Sequence, residues 1–372
     1  MSNHCTPARP DPRSNGRRRR RRRGTSLVGL DIGSTGVKAV RLRRHGRSHL
    51  IVALGAEPLP RGAIVDGAIV DRDVVAGAIR KVFADHAIRN PRVAVSLAGN
   101  AVIVKRLTLP GMSPDELRTS IYWEAKRCLP FDVEEVNMDY QVLTPSAEAA
   151  GERALDVLLV AAKKDRIAEY ADVVARAGRL PVVVDVDAFA VQNAYERSHG
   201  SEPGAAVALL DAGAATTGLS VVEDGQPLYT RHVAIGGNAY TEALQQALGL
   251  GFDEAELLKA GTPVAGGTYH DAEPILRAVT DNLVMEIART IDLFRTANPA
   301  SAIRSLVLSG GTSRVAGLAA ALEGALDTPV APLDPFRAMA VAEGRVSEEQ
   351  RAELGPLAVV AAGLALRRVE DR

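Results

Sequence analysis

The chain has 372 residues, with 45 Lys and Arg balanced by 45 Asp and Glu, 47% hydrophobic residues and 4% aromatics. That length exceeds what one core usually organises, so two lobes are expected. No run reaches the ~18 uninterrupted apolar residues of a membrane helix, so no span is expected. Neutrality hides an asymmetry: residues 1–24 hold nine Arg and one Asp, leaving 36 basic against 44 acidic residues elsewhere. The body therefore has no evident basic face for nucleic acid. Cys5 and Cys128 suggest no disulfide framework, which fits a reducing cytosol.

Residues 1–26, rich in Arg, Pro, Ser and Asn, read as a disordered tail. Its run Arg17 to Arg23 could hold phosphate of nucleic acid or anionic lipid, or be a solvated charge run. Leu27–Leu42 reads as strand, turn, strand, with Asp31, Gly33, Ser34, Thr35 and Lys38 about the turn. A strand over His49–Ala56 and an amphipathic helix over Asp71–Ala87 follow, the helix with Val74, Val75, Ile79, Val82 and Phe83 on one face. Two strands flank Asn100. Ser113 and Glu116 form a capping box with Pro114 at the first helical position, so a helix is expected to about Cys128. A strand, a helix over Lys164–Ala177 and a strand PVVVDV come next. Residues 110–180 are read as a small α/β insertion interrupting a first lobe of 27–109 and 181–205.

Residues 206–354 are expected to form the second lobe. It opens on AVALLDAGAATTGLSVV, a second strand–Asp-x-Gly–strand unit, with Asp211 lying 180 positions after Asp31. Asp224-Gly225 signals a hairpin. Helices are expected from Gly237, over FDEAELLKAG, and over Glu273–Ala297. A strand, a Gly-rich turn at Ser309-Gly310-Gly311-Thr312 and a helix precede a closing apolar helix in residues 355–372 that returns to the first lobe.

The paired Asp-x-Gly turns suit a nucleotide triphosphate with magnesium. The ion keeps several waters and needs one or two carboxylates, here Asp31 and Asp211. Phosphate oxygens accept hydrogen bonds from tight-turn N–H groups, which require Gly, and from hydroxyls and a Lys. Gly33, Ser34, Thr35, Lys38, Gly213, Thr216 and Thr217 are the candidates. One such turn alone is more often a plain β-turn; two in matching contexts make phosphate binding as credible. No G-x-x-x-x-G-K-[ST] or G-x-G-x-x-G occurs, which disfavours a P-loop and a dinucleotide fold. Gly310, Gly311 and Thr312 would let the backbone approach a base or ribose, unless they form an ordinary strand-to-helix turn.

As an ordered set, GLDIGSTGVKAVRL, LPFDVEEVNMDYQVL, VDVDAFAVQNAYE, LLDAGAATTGLSVVEDGQPLYTRHVAIGGNAYTEAL, FDEAELLKAG and LVLSGGTSRVAGLAAALEGALDTPV resemble the actin-like ATPase superfamily. Within it they are most similar to the PilM family of type IV pilus assembly proteins, relatives of the division protein FtsA. The resemblance implies an α/β actin-like fold: two lobes of sheet flanked by helices around a nucleotide cleft, with an FtsA-type insertion. It implies ATP and Mg2+ as ligands and makes Asp31 and Asp211 the magnesium-side carboxylates. Asp187 would orient the attacking water, or simply cap its helix. Glu256 and Lys259 would contact ribose or adenine, if not merely an exposed helix pair. Gly236, Gly237 and Asn238 would line the cleft, and the closing helix with Gly363 would connect the lobes.

The implied function is an ATP-binding cytoplasmic adaptor of the pilus machine with slow or no turnover. It would receive the N-terminal peptide of a PilN-like membrane protein beside the insertion, and so reach the membrane only indirectly. Other pilus platform or motor proteins and self-association complete the implied partners. Two departures bear on hydrolysis more than on binding: Ala215 stands where many relatives carry an acidic residue, and the Arg-rich tail has no family counterpart. A small-molecule kinase of the same superfold, an FtsA-like filament protein and a nucleic-acid binder acting through the Arg tract are the competing readings. The kinase would need a polar acceptor loop, and the FtsA-like protein a C-terminal membrane helix; the sequence closes on LRRVEDR.

Overall fold

A computed structural model describes residues 26–369 apart from 47, 150–151 and 201–202. The Arg tract and Cys5 thus lie outside the described residues. Ser26, expected in the tail, already pairs with Arg368.

The chain begins with β1 (Val28–Gly33), β2 (Gly36–His45) and β3 (Ser48–Pro58), an antiparallel meander. A small hairpin of β4 (Ile64–Val65) and β5 (Ala68–Ile69) leads to α1 (Arg72–Asp85). Asp71 caps α1 by accepting from the Val74 N–H at 3.0 Å. β6 (Arg92–Leu97) then runs parallel to β1. β7 (Val102–Pro110), α2 (Pro114–Cys128), β8 (Val136–Ala149), β9 (Glu152–Lys163), α3 (Lys164–Arg176) and β10 (Leu180–Val186) follow. The α2 capping box forms as expected, with Ser113 and Glu116 bonding reciprocally.

α4 (Asp187–His199) leads into β11 (Ala206–Ala212), β12 (Thr217–Glu223) and β13 (Gln226–Val233), a second meander. The β12–β13 turn places Asp224 at φ 50° and Gly225 at φ 75°, the double positive φ that an Asp-Gly hairpin takes. α5 (Gly237–Leu248), α6 (Phe252–Lys259), α7 (Tyr269–Ala297), β14 (Ile303–Ser309), α8 (Leu318–Leu326), β15 (Val330–Pro332), β16 (Ala340–Val341), α9 (Glu348–Leu354) and α10 (Val359–Leu366) complete the chain.

The duplicated tip turns out to be a duplicated sheet. The first sheet has the order β10-β6-β1-β2-β3-β16 and the second β13-β12-β11-β14-β15. In each, a three-strand meander continues from its first strand into two parallel strands. Alternation along β1 and β11 sorts the side chains. Val28, Leu30 and Ile32 enter one core with α1 and α3, while Ala206, Ala208, Leu210 and Ala212 enter another with α5 to α8. Val207 and Leu209 point the other way, into a third core with Ala190 and Val191 of α4 and Val359, Val360 and Leu364 of α10. These two helices lie between the sheets. The crossing is close enough that a Cβ at Gly363 would overlap the Ala190 carbonyl oxygen.

Several expected boundaries move. β7 belongs to a separate small sheet, β7-β9-β8, and not to the first lobe. Its full-length pairing with β9, from Val102 against Ala162 to Pro110 against Ala154, outweighs its sequence adjacency to β6. α3, expected in the insertion, buries Tyr170, Val173 and Val174 in the first-lobe core. β16, assigned to the second lobe, pairs with β3 of the first sheet. α7 starts four residues before Glu273 because Thr268 and Asp271 cap it: the Thr268 N–H donates to Asp271 Oδ2 at 2.9 Å. Pro274 lies in the second turn of α7, on its exposed side. Among the described residues, no helix is long and apolar enough to cross a membrane.

Candidate functional site

The alternation that buries Leu30 and Ile32 turns Asp31 to the opposite face, and the same holds for Asp211 between Leu210 and Ala212. Both tips open on one cleft of about 550 Å3. On the first tip, Asp31 is the cross-strand neighbour of Lys38, and Nζ lies 3.1 Å from Oδ2. Gly33, Ser34 and Thr35 complete that wall. On the second tip, Ser309 of the adjacent strand donates to Asp211 Oδ1 at 3.0 Å. Gly213, Ala214, Ala215 and Thr216 form its loop, closed by the Gly213 N–H on the Thr216 carbonyl at 3.0 Å.

Asp187 stands between the tips as the first residue of α4. Val186 occupies the cap position, so the expected capping role of Asp187 is not realised; its side chain faces the cleft. Burial, helped by the nearby Asp31 charge, pushes its carboxyl up to about 7, against a hydrogen bond from Ser96 that favours ionisation. Asp211 is pushed up to about 6, again by burial first and then by Asp31, with the Ser309 bond opposing. Three carboxylates thus share one field with a single lysine among them.

The base of the cleft is tied together by backbone. The Gly237 and Asn238 N–H groups, which begin α5, donate to the Gly213 and Ala214 carbonyls at 3.0 and 2.8 Å. The second tip, and not the open cleft, therefore satisfies these two N–H groups. Thr312 Oγ1 donates to the Gly213 carbonyl at 2.7 Å. Gly310 sits at φ 85° with its open side against the Ala212 carbonyl, where any Cβ would collide. Gly311 follows in a short 3-10 turn, and α8 begins only at Leu318, so its N-terminus does not continue directly from the Gly-Gly pair as the sequence suggests. Lys259 Nζ reaches Glu256 at 2.6 Å, the Thr241 hydroxyl at 2.8 Å and the Gly237 carbonyl at 3.3 Å. Thr241 donates in turn to Glu256. This is a fixed polar wall and not an exposed helix pair.

Two expected residues do not face the cleft. Thr217 is fully buried and donates to the Ile235 carbonyl at 2.7 Å, so it holds the second meander together. Gly236 lies behind the tip, pressed against the Gly213 and Ala214 carbonyls. Sequence reasoning missed Ser96, Asp66, Gly67, Tyr170, Thr230 and His232, all on the cleft wall. Ser96 sits near the end of β6, where the parallel repeat of the second unit puts Ser309. That correspondence was readable only after β6 and β14 were matched. Thr230 Oγ1 and His232 Nδ1 are buried without a partner among the described residues, and burial lowers the His232 pKa.

Comparison with known proteins places this geometry. Residues 29–369 match the family model of type IV pilus assembly protein PilM. A chain of a PilM–PilN type IV pilus biogenesis complex is 32% identical, covers 93% of this chain and 99% of its own, and superposes with a TM-score of 0.83. The ethanolamine utilization protein EutJ from Carboxydothermus hydrogenoformans is 16% identical over 92% of this chain and 89% of its own, with a TM-score of 0.55, a likeness of fold alone. The fold is that of the actin-like ATPases, and the chain belongs to the type IV pilus assembly protein PilM family.

Proposed function

We propose that this protein is an ATP-binding adaptor of a type IV pilus machine, in which nucleotide bridges the two sheets. The carrying observation is that two Asp-x-Gly tips, far apart in sequence, converge with the Gly310-Gly311 turn on one cleft. The residues fit magnesium. Phosphates would add negative charge beside Asp31, Asp187 and Asp211, where burial and then the Asp31 charge already hold the Asp187 and Asp211 carboxyls above their ordinary value, so a cation is required. Among the described residues no three His, Cys, Asp or Glu side chains converge to hold an ion directly. Asp31 and Asp211 would thus hold Mg2+ through water, as that ion prefers. When bound, the ion neutralises phosphate charge. The hydroxyls of Ser34, Thr35 and Thr216 and the N–H groups of the tips bind phosphate oxygens. Lys38 links them to Asp31. Lys259 and Glu256 face ribose or base across from Gly310, Gly311 and Thr312. Asp187 orients a water, and turnover is slow or absent.

The partner is a PilN-like N-terminal peptide, with other platform proteins beyond it; the 32% identity to a chain of a PilM–PilN complex supports this. Association with the inner face of the membrane would then run through that partner. Calorimetric titration of the full chain should give magnesium-dependent ATP binding that Asp211→Ala abolishes. Equal binding without magnesium, or by Asp211→Ala, would reject the clamp. Failure to capture a PilN-like peptide would reject the pilus role.

A further inference from the structure

The outward stripe of α7 carries large side chains that nothing described covers. Met285 is 59% exposed and Leu293 45% exposed. Pro274, Ala278, Asp281, Asn282, Arg289 and Thr296 extend the exposed stripe at three- and four-residue steps. Towards its N-terminal half, Ala239 and Ala243 of α5 join Pro274, Ala278 and Asn282 in a shallow apolar groove.

The charges on the stripe are arranged about its centre. Asp281 precedes Met285 by four residues and Arg289 follows it by four. Neither forms an ion pair among the described residues, whereas Arg277 is held by Glu273 at 2.6 Å and Arg295 lies 3.5 Å from Asp292. A second α7 laid antiparallel, with Met285 on the axis, sets Asp281 of each copy opposite Arg289 of the other. Leu293 of each then falls at the level of Arg277, beside the apolar groove. A stripe complementary to its own two-fold image is the requirement of an isologous contact. Same-sign charges at the two positions would have made that arrangement repulsive.

We propose that this face is a two-fold interface between two copies of this chain, with Met285 on the axis and two Asp281–Arg289 pairs flanking it. The contact uses one helix and one groove, so it sits at the low end of specific interface sizes, and a weak, reversible dimer at the micromolar end of the range is expected. It is independent of nucleotide, since it lies on the side of α7 away from the core that Leu283, Ile287 and Ile291 share with β11.

Sedimentation equilibrium of the full chain tests it. A reversible dimer is expected, with Arg289→Asp weakening it at least tenfold. The double variant Asp281→Arg/Arg289→Asp should restore it, because both pairs are reversed together; a folding defect would not be rescued in this way. In a background with Cys5 and Cys128 changed to Ser, Met285→Cys should oxidise readily to a covalent dimer. Ala278→Cys should not, its two copies being about 21 Å apart along the axis. A wild type that stays monomeric well above 100 µM, or a dimer indifferent to Arg289→Asp, overturns the proposal.

Discussion

Asp187 is the residue whose chemistry depends most on its surroundings. Its carboxyl is held up to about 7 by burial and by Asp31, well above its ordinary value of 3.8. The native state therefore binds a proton more tightly than the unfolded chain does. Stability from this group is full at low pH and is lost as pH rises towards about 7, and Asp211 acts in the same direction. Asp187→Asn is accordingly expected to stabilise the nucleotide-free protein by about 1–3 kcal/mol more at pH 8 than at pH 5, with the effect vanishing only below about pH 4. Urea unfolding at the two pH values checks this; an equal change at both would mean that the raised Asp187 carboxyl is not the cause. Asp31 and Asp211 stand out in the sequence because a charge interrupts an apolar strand. Ser96 gives no such signal, since a serine in a strand is ordinary and only its neighbour Asp187 gives it meaning.

At the scale of elements, most helices and strands were legible because their signals are local: the Ser113–Glu116 box, the Asp224-Gly225 turn, and the period of α1. Errors came where pairing is non-local. β7 reads as the next strand of the first sheet, yet its register with β9 makes it part of the insertion. The close passage of α10 over α4 is likewise set by tertiary contact. Gly363 meets the Ala190 backbone there, so Gly363→Val should cost about 2–4 kcal/mol by forcing the helices apart. Guanidinium unfolding measures that loss. A neutral result would show that the crossing yields easily.

For the whole molecule, one arginine joins the segment after the first meander to the helices α5 and α6. Arg61, in the segment between β3 and β4, donates to Glu242 of α5 at 2.8 Å and lies over the Phe252 ring at 5.0 Å. The hairpin that follows it contributes Ile64, Asp66 and Gly67 to the cleft wall. Each contact is exposed and worth under about 1 kcal/mol, so together they tether the segment only weakly. Arg61→Ala should raise hydrogen exchange in residues 59–69 several-fold while leaving the unfolding free energy within about 0.5 kcal/mol of wild type. Unchanged exchange would mean that other contacts hold this segment in place.

The sequence by itself determined the two Asp-x-Gly tips, the glycine turn at Gly310-Gly311 and the order of nearly all elements, because hydrophobic period, caps and turn chemistry act over a few residues. Only the tertiary structure decided that the tips belong to two sheets of matching strand order, the first extended by β16, that Thr217 and Gly236 turn away from the cleft, and that Lys259 is locked to Glu256 and Thr241. Those outcomes depend on which strands pair and which faces meet, from 18 residues apart for Thr217 and Ile235 to 180 between the two tips, and no local pattern encodes them.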